Sequence, residues 1–184
     1  MQNFKDKILI LDLDETLIYA AEQPLERKPD IVVDQYFVYT RPFLEDFLAF
    51  CFENFDVAVW TTATKSYAEE ILKTILKESQ KLRFVWTRDR CTLVFDEEVQ
   101  EHFYVKRMSK LRRRGYKLES VIVVDDTPNV WKDSYGNLVR VKKFEGDLKD
   151  DELKILPIYL KTLLETTNIR KVEKRNWRLR ISQK

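Results

Sequence analysis

Four aspartates, two threonines and a lysine carry the chemistry that this sequence could perform. Asp12 and Asp14 sit in Lys7–Leu17, KILILDLDETL, one residue apart and directly after the apolar run Ile8–Leu11. Such a run reads as a buried central strand. Alternation along a strand would send both carboxylates to one face, about 6–7 Å apart. Two carboxylates that close to a dry strand end repel each other and resist burial, so something must balance them. Oxygen donors suit a hard divalent cation, and Mg²⁺ is the expected one. An isolated pair of this kind could equally be a solvated turn. Two further polar strand ends change that reading: Thr61-Thr62 after Asp56–Trp60 (DVAVW), and Asp125-Asp126 after Ser120–Val124 (SVIVV).

If these strands are parallel neighbours, the three polar ends converge on one crevice at the carboxyl edge of a sheet, where such sheets bind ligands. Four acids there should hold Mg²⁺, which neutralises the charge of an incoming phosphate monoester that carboxylates alone would repel. An ionised Asp12 could then serve as nucleophile and form an aspartyl-phosphate. Asp14 could protonate the leaving oxygen and later take a proton from water. Thr61, nearby backbone N–H groups and a cation such as Lys106 could donate to the equatorial phosphoryl oxygens.

The elements that must position these residues are legible in outline. Glu15 to Pro29 is polar, interrupted by Pro24 and Pro29, and reads as a loop or small flap. Ile31–Val33 and Tyr36–Tyr39 read as a hairpin. A helix is expected from Arg41-Pro42, with Pro42 in its first turn and Phe43, Leu44, Phe47, Leu48 and Cys51 on one face. A second helix is expected over Lys65–Glu78, capped by Thr64 or by a Ser66/Glu69 capping box. Residues 80–103 read as short strands of a small insertion that contains the acidic Asp96 to Glu98. The basic run Arg107–Arg114 should be a helix stopped by Gly115. Asn137–Val141 reads as a fourth strand, and Asp150–Leu164 as a closing helix with Pro157 inside it and a kink there. Strands alternating with helices imply an α/β fold with a mainly parallel sheet. The expected organisation is one domain over residues 1–169 and a basic tail over 170–184.

Composition narrows the function. The chain has 184 residues, 44% apolar and 35% charged, which fits a soluble globular protein with a heavily charged surface. Residues 170–184 hold seven Lys/Arg and one Glu, a net +6 in a chain whose total is +2, so the first 169 residues carry −4. Two cysteines make no disulfide framework, and one histidine argues against a zinc centre or a His-based triad. Three glycines exclude a glycine-rich phosphate loop. No signal peptide or membrane-length apolar run is present, so a reducing, cytoplasmic-type compartment is expected, and a nuclear one is compatible with the same features.

The motifs DLDETL, WTTATKSYA, YVKRMSKL and VVDDTP resemble, in order, the four motifs of haloacid-dehalogenase-superfamily phosphatases. The match is to the RNA polymerase C-terminal-domain phosphatase branch, of the small-phosphatase or nuclear-LIM-interactor-interacting-factor type. Arg41-Pro42-Phe43-Leu44 and the segment Asn137–Leu153 are similar to that branch as well. The resemblance runs from about Lys7 to Leu164 and implies the superfamily's three-layer fold, without a large cap domain. It implies Asp12 as the phosphorylated nucleophile, Asp14 as general acid/base lending its backbone carbonyl to Mg²⁺, and Thr61 and Lys106 as phosphoryl ligands. Asp125 and Asp126 would hold the metal. Thr62-Ala63 and Arg107-Met108 depart from the branch's usual residues and touch the walls of the expected pocket.

An open site suits a phosphorylated side chain on a protein. The expected activity is therefore that of a phosphoserine/phosphothreonine protein phosphatase. Two alternatives stand beside it: a phosphatase for nucleic-acid ends or small esters, and a non-catalytic phospho-binding module on the same fold. The tail, with Trp177 among basic residues, could track a phosphate backbone. No membrane partner is expected, and the oligomeric state is not readable.

Overall fold

The computed structural model describes residues 5–97, 100–132 and 134–181. Glu98 of the acidic Asp96–Glu98 run and the last three residues of the basic segment lie outside the described residues. In chain order, β1 (Ile8–Leu11) leads into β2 (Ile18–Ala21), β3 (Ile31–Val33) and β4 (Tyr36–Thr40). Then come α1 (Leu44–Asn54), β5 (Asp56–Trp60), α2 (Lys65–Ile75), β6 (Val85–Trp86), β7 (Thr92–Asp96) and β8 (Glu101–Val105). α3 (Ser109–Arg112), β9 (Val121–Asp125), β10 (Leu138–Arg140), α4 (Glu152–Leu164) and α5 (Trp177–Ile181) complete it.

β1 is the middle strand of a five-stranded sheet of order β10-β9-β1-β5-β6, and every pairing in it is parallel. Its four residues are all buried, as an apolar run without alternation requires. Alternation splits the sheet's side chains between two cores. Leu9, Leu11, Val57, Val59, Ile122, Val124 and Val139 face α1, α2 and α4. Ile8, Ile10, Ala58, Trp60, Val121, Val123 and Leu138 pack with Met108, Leu111 and Trp131 on the other face. The result is the three-layer α/β arrangement expected from the sequence.

Several local readings change. Ile18–Ala21 is not loop: it pairs antiparallel with β4, which also holds β3, so the flap is a three-stranded sheet. The cross-strand partners come from 16 or more residues away, beyond any local pattern. Pro42 stands in a turn before α1, where Phe43 adopts φ 64° and is exposed. The buried face of α1 is therefore Leu44, Phe47, Leu48 and Cys51. Thr64 precedes α2 as its cap residue, but neither a side-chain cap nor the Ser66/Glu69 box forms. Val85-Trp86, read as insertion, is the edge strand of the main sheet, and only β7 and β8 form a separate hairpin. Trp60 explains why: it meets Trp86 and Trp131 edge-on, with ring centroids 4.6 and 5.3 Å apart, so the strand pairing is clamped by aromatic packing. α3 is one turn, Ser109–Arg112, shorter than the expected Arg107–Arg114, and the turn after it closes at Gly115, φ 85°, with Tyr116 N–H bonded to Leu111 O and Gly115 N–H to Arg112 O.

The basic C-terminal segment is docked rather than free. Trp177 is 0% exposed, stacks on Tyr159 and donates its Nε1–H to Arg140 O at 2.8 Å. Arg178 pairs with the buried Glu152 at the start of α4. Trp177 therefore offers no face to a nucleic-acid base. No helix formed by the described residues is long and apolar enough to cross a membrane.

Arg41 ties the frame to the loop after β1. It is 1% exposed, and its Nε and Nη2 donate to the two oxygens of Asp150 at 2.8 Å each, while Nη1 donates to Thr16 O at 2.9 Å. Removing one member of a buried charge pair strands the other, so Arg41→Met should lower unfolding free energy by about 3 kcal/mol. Arg41→Lys should recover only part, because one ammonium cannot reproduce the planar fork. Urea unfolding of both variants checks this; wild-type stability in Arg41→Met would refute it.

Candidate active site

The chain leaves β1 at Asp12, whose N–H still reaches Val124 O of β9 at 3.0 Å. A tight turn follows, with Glu15 at φ 54° and the N–H groups of Thr16, Leu17 and Ile18 converging on Leu13 O. The turn separates the two carboxylates that strand alternation would have kept parallel. Asp12 faces Lys106, whereas Asp14 accepts a hydrogen bond from Tyr67 of α2 at 2.8 Å.

The strands either side of β1 supply the rest. Asp125 ends β9, and Asp126 follows it; Thr61 follows β5. Lys106 arrives from the hairpin, directly after β8, with its N–H on Val130 O. Its ammonium, 1% exposed, donates to Asp12 Oδ1 and Asp125 Oδ2, both at 2.6 Å. Asp125 Oδ2 also accepts from Trp131 Nε1 at 2.7 Å, and its Oδ1 from Thr127 N–H at 2.9 Å. Asp126 is held by hydroxyls, Thr16 Oγ1 at 3.2 Å and Thr127 Oγ1 at 3.1 Å. Thr61 is buried and its Oγ1 accepts from Ala63 N–H at 3.0 Å, which leaves its own proton to donate elsewhere. Thr62 is half-buried and its carbonyl accepts from Arg88.

The electrostatics point to a missing positive charge. Burial, then the charge of Asp125, raises the Asp12 carboxyl well above its ordinary range against the pull of Lys106. Burial likewise raises Asp14, with the Tyr67 hydrogen bond opposing it, and raises Asp126 with help from Asp125. Glu15 is pushed up to about 7 by burial and by Asp14 and Asp126. Lys106 is disfavoured by burial but overruled by Asp12 and Asp125, so it stays a firm cation. One ammonium thus faces several acids in a dry crevice.

The donor set fits a hard divalent ion. Asp12, Asp125 and Asp126 each offer a carboxylate oxygen, all within 4.8 Å of one another. Mg²⁺ bonds oxygen at about 2.1 Å, so opposite ligands stand about 4.2 Å apart, close to the spread observed. The Asp14 carboxylate is outside this group.

Of the residues singled out by sequence, Asp12, Lys106, Asp125 and Asp126 are brought into one cluster. Asp14 stands beside it, and Thr61 follows the neighbouring strand. Thr16, Tyr67 and Trp131 were given no role from sequence. Thr16 and Tyr67 lie inside the quoted motifs, two residues past Asp14 and six past Thr61, and each carries a hydroxyl that can donate to a carboxylate. Trp131, six residues past Asp125, carries no such signal.

Comparison with known proteins gives a consistent answer. The family model for NLI interacting factor-like phosphatases matches residues 7–170. A probable C-terminal domain small phosphatase of Dictyostelium discoideum is 31% identical over 92% of this chain and 55% of its own length. CTD nuclear envelope phosphatase 1 of Xenopus laevis is 27% identical over 96% of this chain and 75% of that protein. Among solved structures, the fission yeast RNA polymerase II CTD phosphatase Fcp1, in a variant bound to beryllium fluoride, superposes with a TM-score of 0.58 at 21% identity. The match covers 97% of this chain and 55% of that one. The chain thus spans about half the length of the Dictyostelium relative and of Fcp1.

Proposed function

Because the chain belongs to the NLI interacting factor-like phosphatase family, we propose that it hydrolyses phosphate monoesters on serine or threonine side chains of proteins, by way of an aspartyl-phosphate on Asp12. The observation that carries this reading is the pairing of Asp12 with Lys106 at 2.6 Å beside a three-carboxylate cluster, with Asp14 held separately by Tyr67. Bound Mg²⁺ would supply charge neutralisation for the phosphoryl group and for the acids, held by Asp12, Asp126 and the Asp14 backbone carbonyl. Asp126 is the better direct ligand of the β9 pair, because among the described residues its oxygens accept from hydroxyls alone, while Asp125 already accepts from Lys106, Trp131 and a backbone N–H.

The chain's own groups divide the work. Asp12 Oδ attacks phosphorus as the ester P–O bond breaks. Asp14, whose burial favours the protonated form, gives its proton to the leaving oxygen and afterwards takes one from the attacking water. Tyr67 fixes its orientation. Lys106 and the Thr61 hydroxyl donate to the equatorial oxygens. Thr62, half-buried beside Thr61, lines the approach. The segment between Thr61 and Lys106 supplies the small β7–β8 hairpin rather than a large cap domain, which favours a phosphorylated protein segment over an enclosed metabolite. Buried, unpaired Cys51 and Cys91 suit a reducing compartment, cytoplasmic or nuclear.

The test is hydrolysis of an aryl phosphate with Mg²⁺ or with a chelator, alongside melting curves in the same buffers. Turnover should require the metal. The raised acids hold protons that a cation must displace, so Mg²⁺ should raise Tm more as pH climbs from about 4 to about 7. In chelator, stability should fall over the same window, since the folded acids bind protons that the unfolded chain releases. A metal-independent turnover, or a pH-independent Tm shift, would break this reading.

A further inference from the structure

The C-terminal segment builds a second site on the edge of the sheet. A groove of about 810 Å³ opens beside β10, lined by Arg140, Arg170, Lys171, Lys174 and Arg175, with Glu173 as the one carboxylate among its described lining residues. Glu173 is committed to Arg175, with bonds of 2.6 to 3.1 Å. The other four cations have no ion-pair partner among the described residues. Lys174 is the unusual one: it is 4% exposed, and its ammonium rests on Ile169 O and Val172 O at 2.6 Å each. Two of its three protons are placed on carbonyls, and the nearby Glu173 carboxylate acts on it through charge without a direct ion pair. Burial pushes its pKa down to about 8. A buried ammonium bonded to carbonyls rather than to a carboxylate is costly, and an arriving anion would offset that cost.

The groove adjoins the acidic crevice. Pro128, in its wall, is two residues past Asp126, and Arg140 Nε donates to Asp126 O at 3.3 Å. β10 is two strands from β1, about 10 Å at the usual strand spacing. An extended peptide covers that in about three residues.

We propose that this groove binds the acidic stretch of a phosphopolypeptide substrate, holding a second phosphate or clustered carboxylates about three to six residues from the phosphate being hydrolysed. The inference rests on the phosphatase reading for its substrate and on the groove's own charge for its chemistry. Trp177, the aromatic residue within the basic segment, is fully buried and cannot stack a base, and Tyr135 in the groove wall offers a single exposed ring, so the choice of a polypeptide over a nucleic acid follows from the protein-phosphatase reading.

Two phosphoserine peptides decide it, identical except that one carries acidic residues at those positions and the other neutral ones. The wild type should prefer the acidic peptide by about tenfold in kcat/KM, through KM, with the preference fading as salt rises. Arg170→Glu with Lys171→Glu, both exposed positions, should bring the ratio to about one. Equal use of the two peptides by wild type, or a preference that survives charge reversal, overturns the proposal. Fluorescence anisotropy of the labelled acidic peptide reads the groove without catalysis. If aryl phosphate is not hydrolysed, the phosphatase reading fails, yet binding lost on charge reversal still supports the groove, and no binding overturns it. A single-stranded oligonucleotide bound more tightly than the acidic peptide, and released by the same variant, would overturn the polypeptide assignment.

Discussion

Asp12→Asn should reduce turnover of an aryl phosphate by roughly 10³-fold or more, with little change in Tm. The amide is nearly isosteric, and Lys106 keeps its second partner, Asp125, at 2.6 Å. The loss is chemical: an amide oxygen bears no negative charge to attack phosphorus, and no neighbouring group can take its place. Asp14→Asn should fall almost as far, but differently. It removes the proton donor and the later base, so the phosphorylated enzyme should accumulate when the leaving group is good. Acid quenching with radiolabelled substrate separates the two. Label should stay on the protein in Asp14→Asn and be absent in Asp12→Asn. Near wild-type turnover in Asp12→Asn would end the covalent mechanism.

The parts of the fold that sequence revealed are those governed by short-range pattern. The three buried strands read directly from unbroken apolar runs, because a strand covered on both faces must be apolar on both. Their common polar ends located the crevice, since a parallel sheet brings carboxyl ends together whatever the intervening segments do. The parts that were not legible depend on partners far away in the chain. Ile18–Ala21 is a strand because β4 pairs with it. Val85-Trp86 belongs to the main sheet because Trp60 and Trp131 build an aromatic cluster around Trp86's neighbour strand. Trp177 looked like a nucleic-acid platform by composition and is instead the plug that fixes the C-terminal segment, with Tyr159 stacked against it.

The site shows the same division. Residue types gave the acids and the lysine, but not which acid would face which partner. Strand alternation would have paired Asp12 with Asp14. The turn at Glu15 parts them and gives them different neighbours, Lys106 for Asp12 and Tyr67 for Asp14. In the proposed mechanism that separation would let one act as nucleophile and the other as acid, and it is a property of the loop rather than of the strand.

Lys106→Met should be the most destabilising substitution in the site, lowering unfolding free energy by about 3–5 kcal/mol at neutral pH without metal. The ammonium is 1% exposed and is the direct ion-pair partner of both Asp12 and Asp125. Without it, two buried carboxylates face each other. The sign of the pH dependence follows. Asp12 is already raised above its ordinary value, with Lys106 opposing the rise, so removing the lysine raises it further. The folded protein then holds a proton that the unfolded chain gives up above about pH 4, and stability declines as pH climbs through that window. The deficit should therefore shrink towards pH 4 in urea titrations. Mg²⁺ should raise the Tm of Lys106→Met more than that of wild type, because the ion replaces a countercharge that the variant lacks. Turnover should fall by about 10²-fold, less than in Asp12→Asn, since the metal still neutralises much of the phosphoryl charge. A deficit that does not change with pH or Mg²⁺ would mean that Lys106 contributes by packing alone. A loss of turnover equal to that of Asp12→Asn would make the lysine, rather than the metal, the main electrostatic partner of the phosphoryl group.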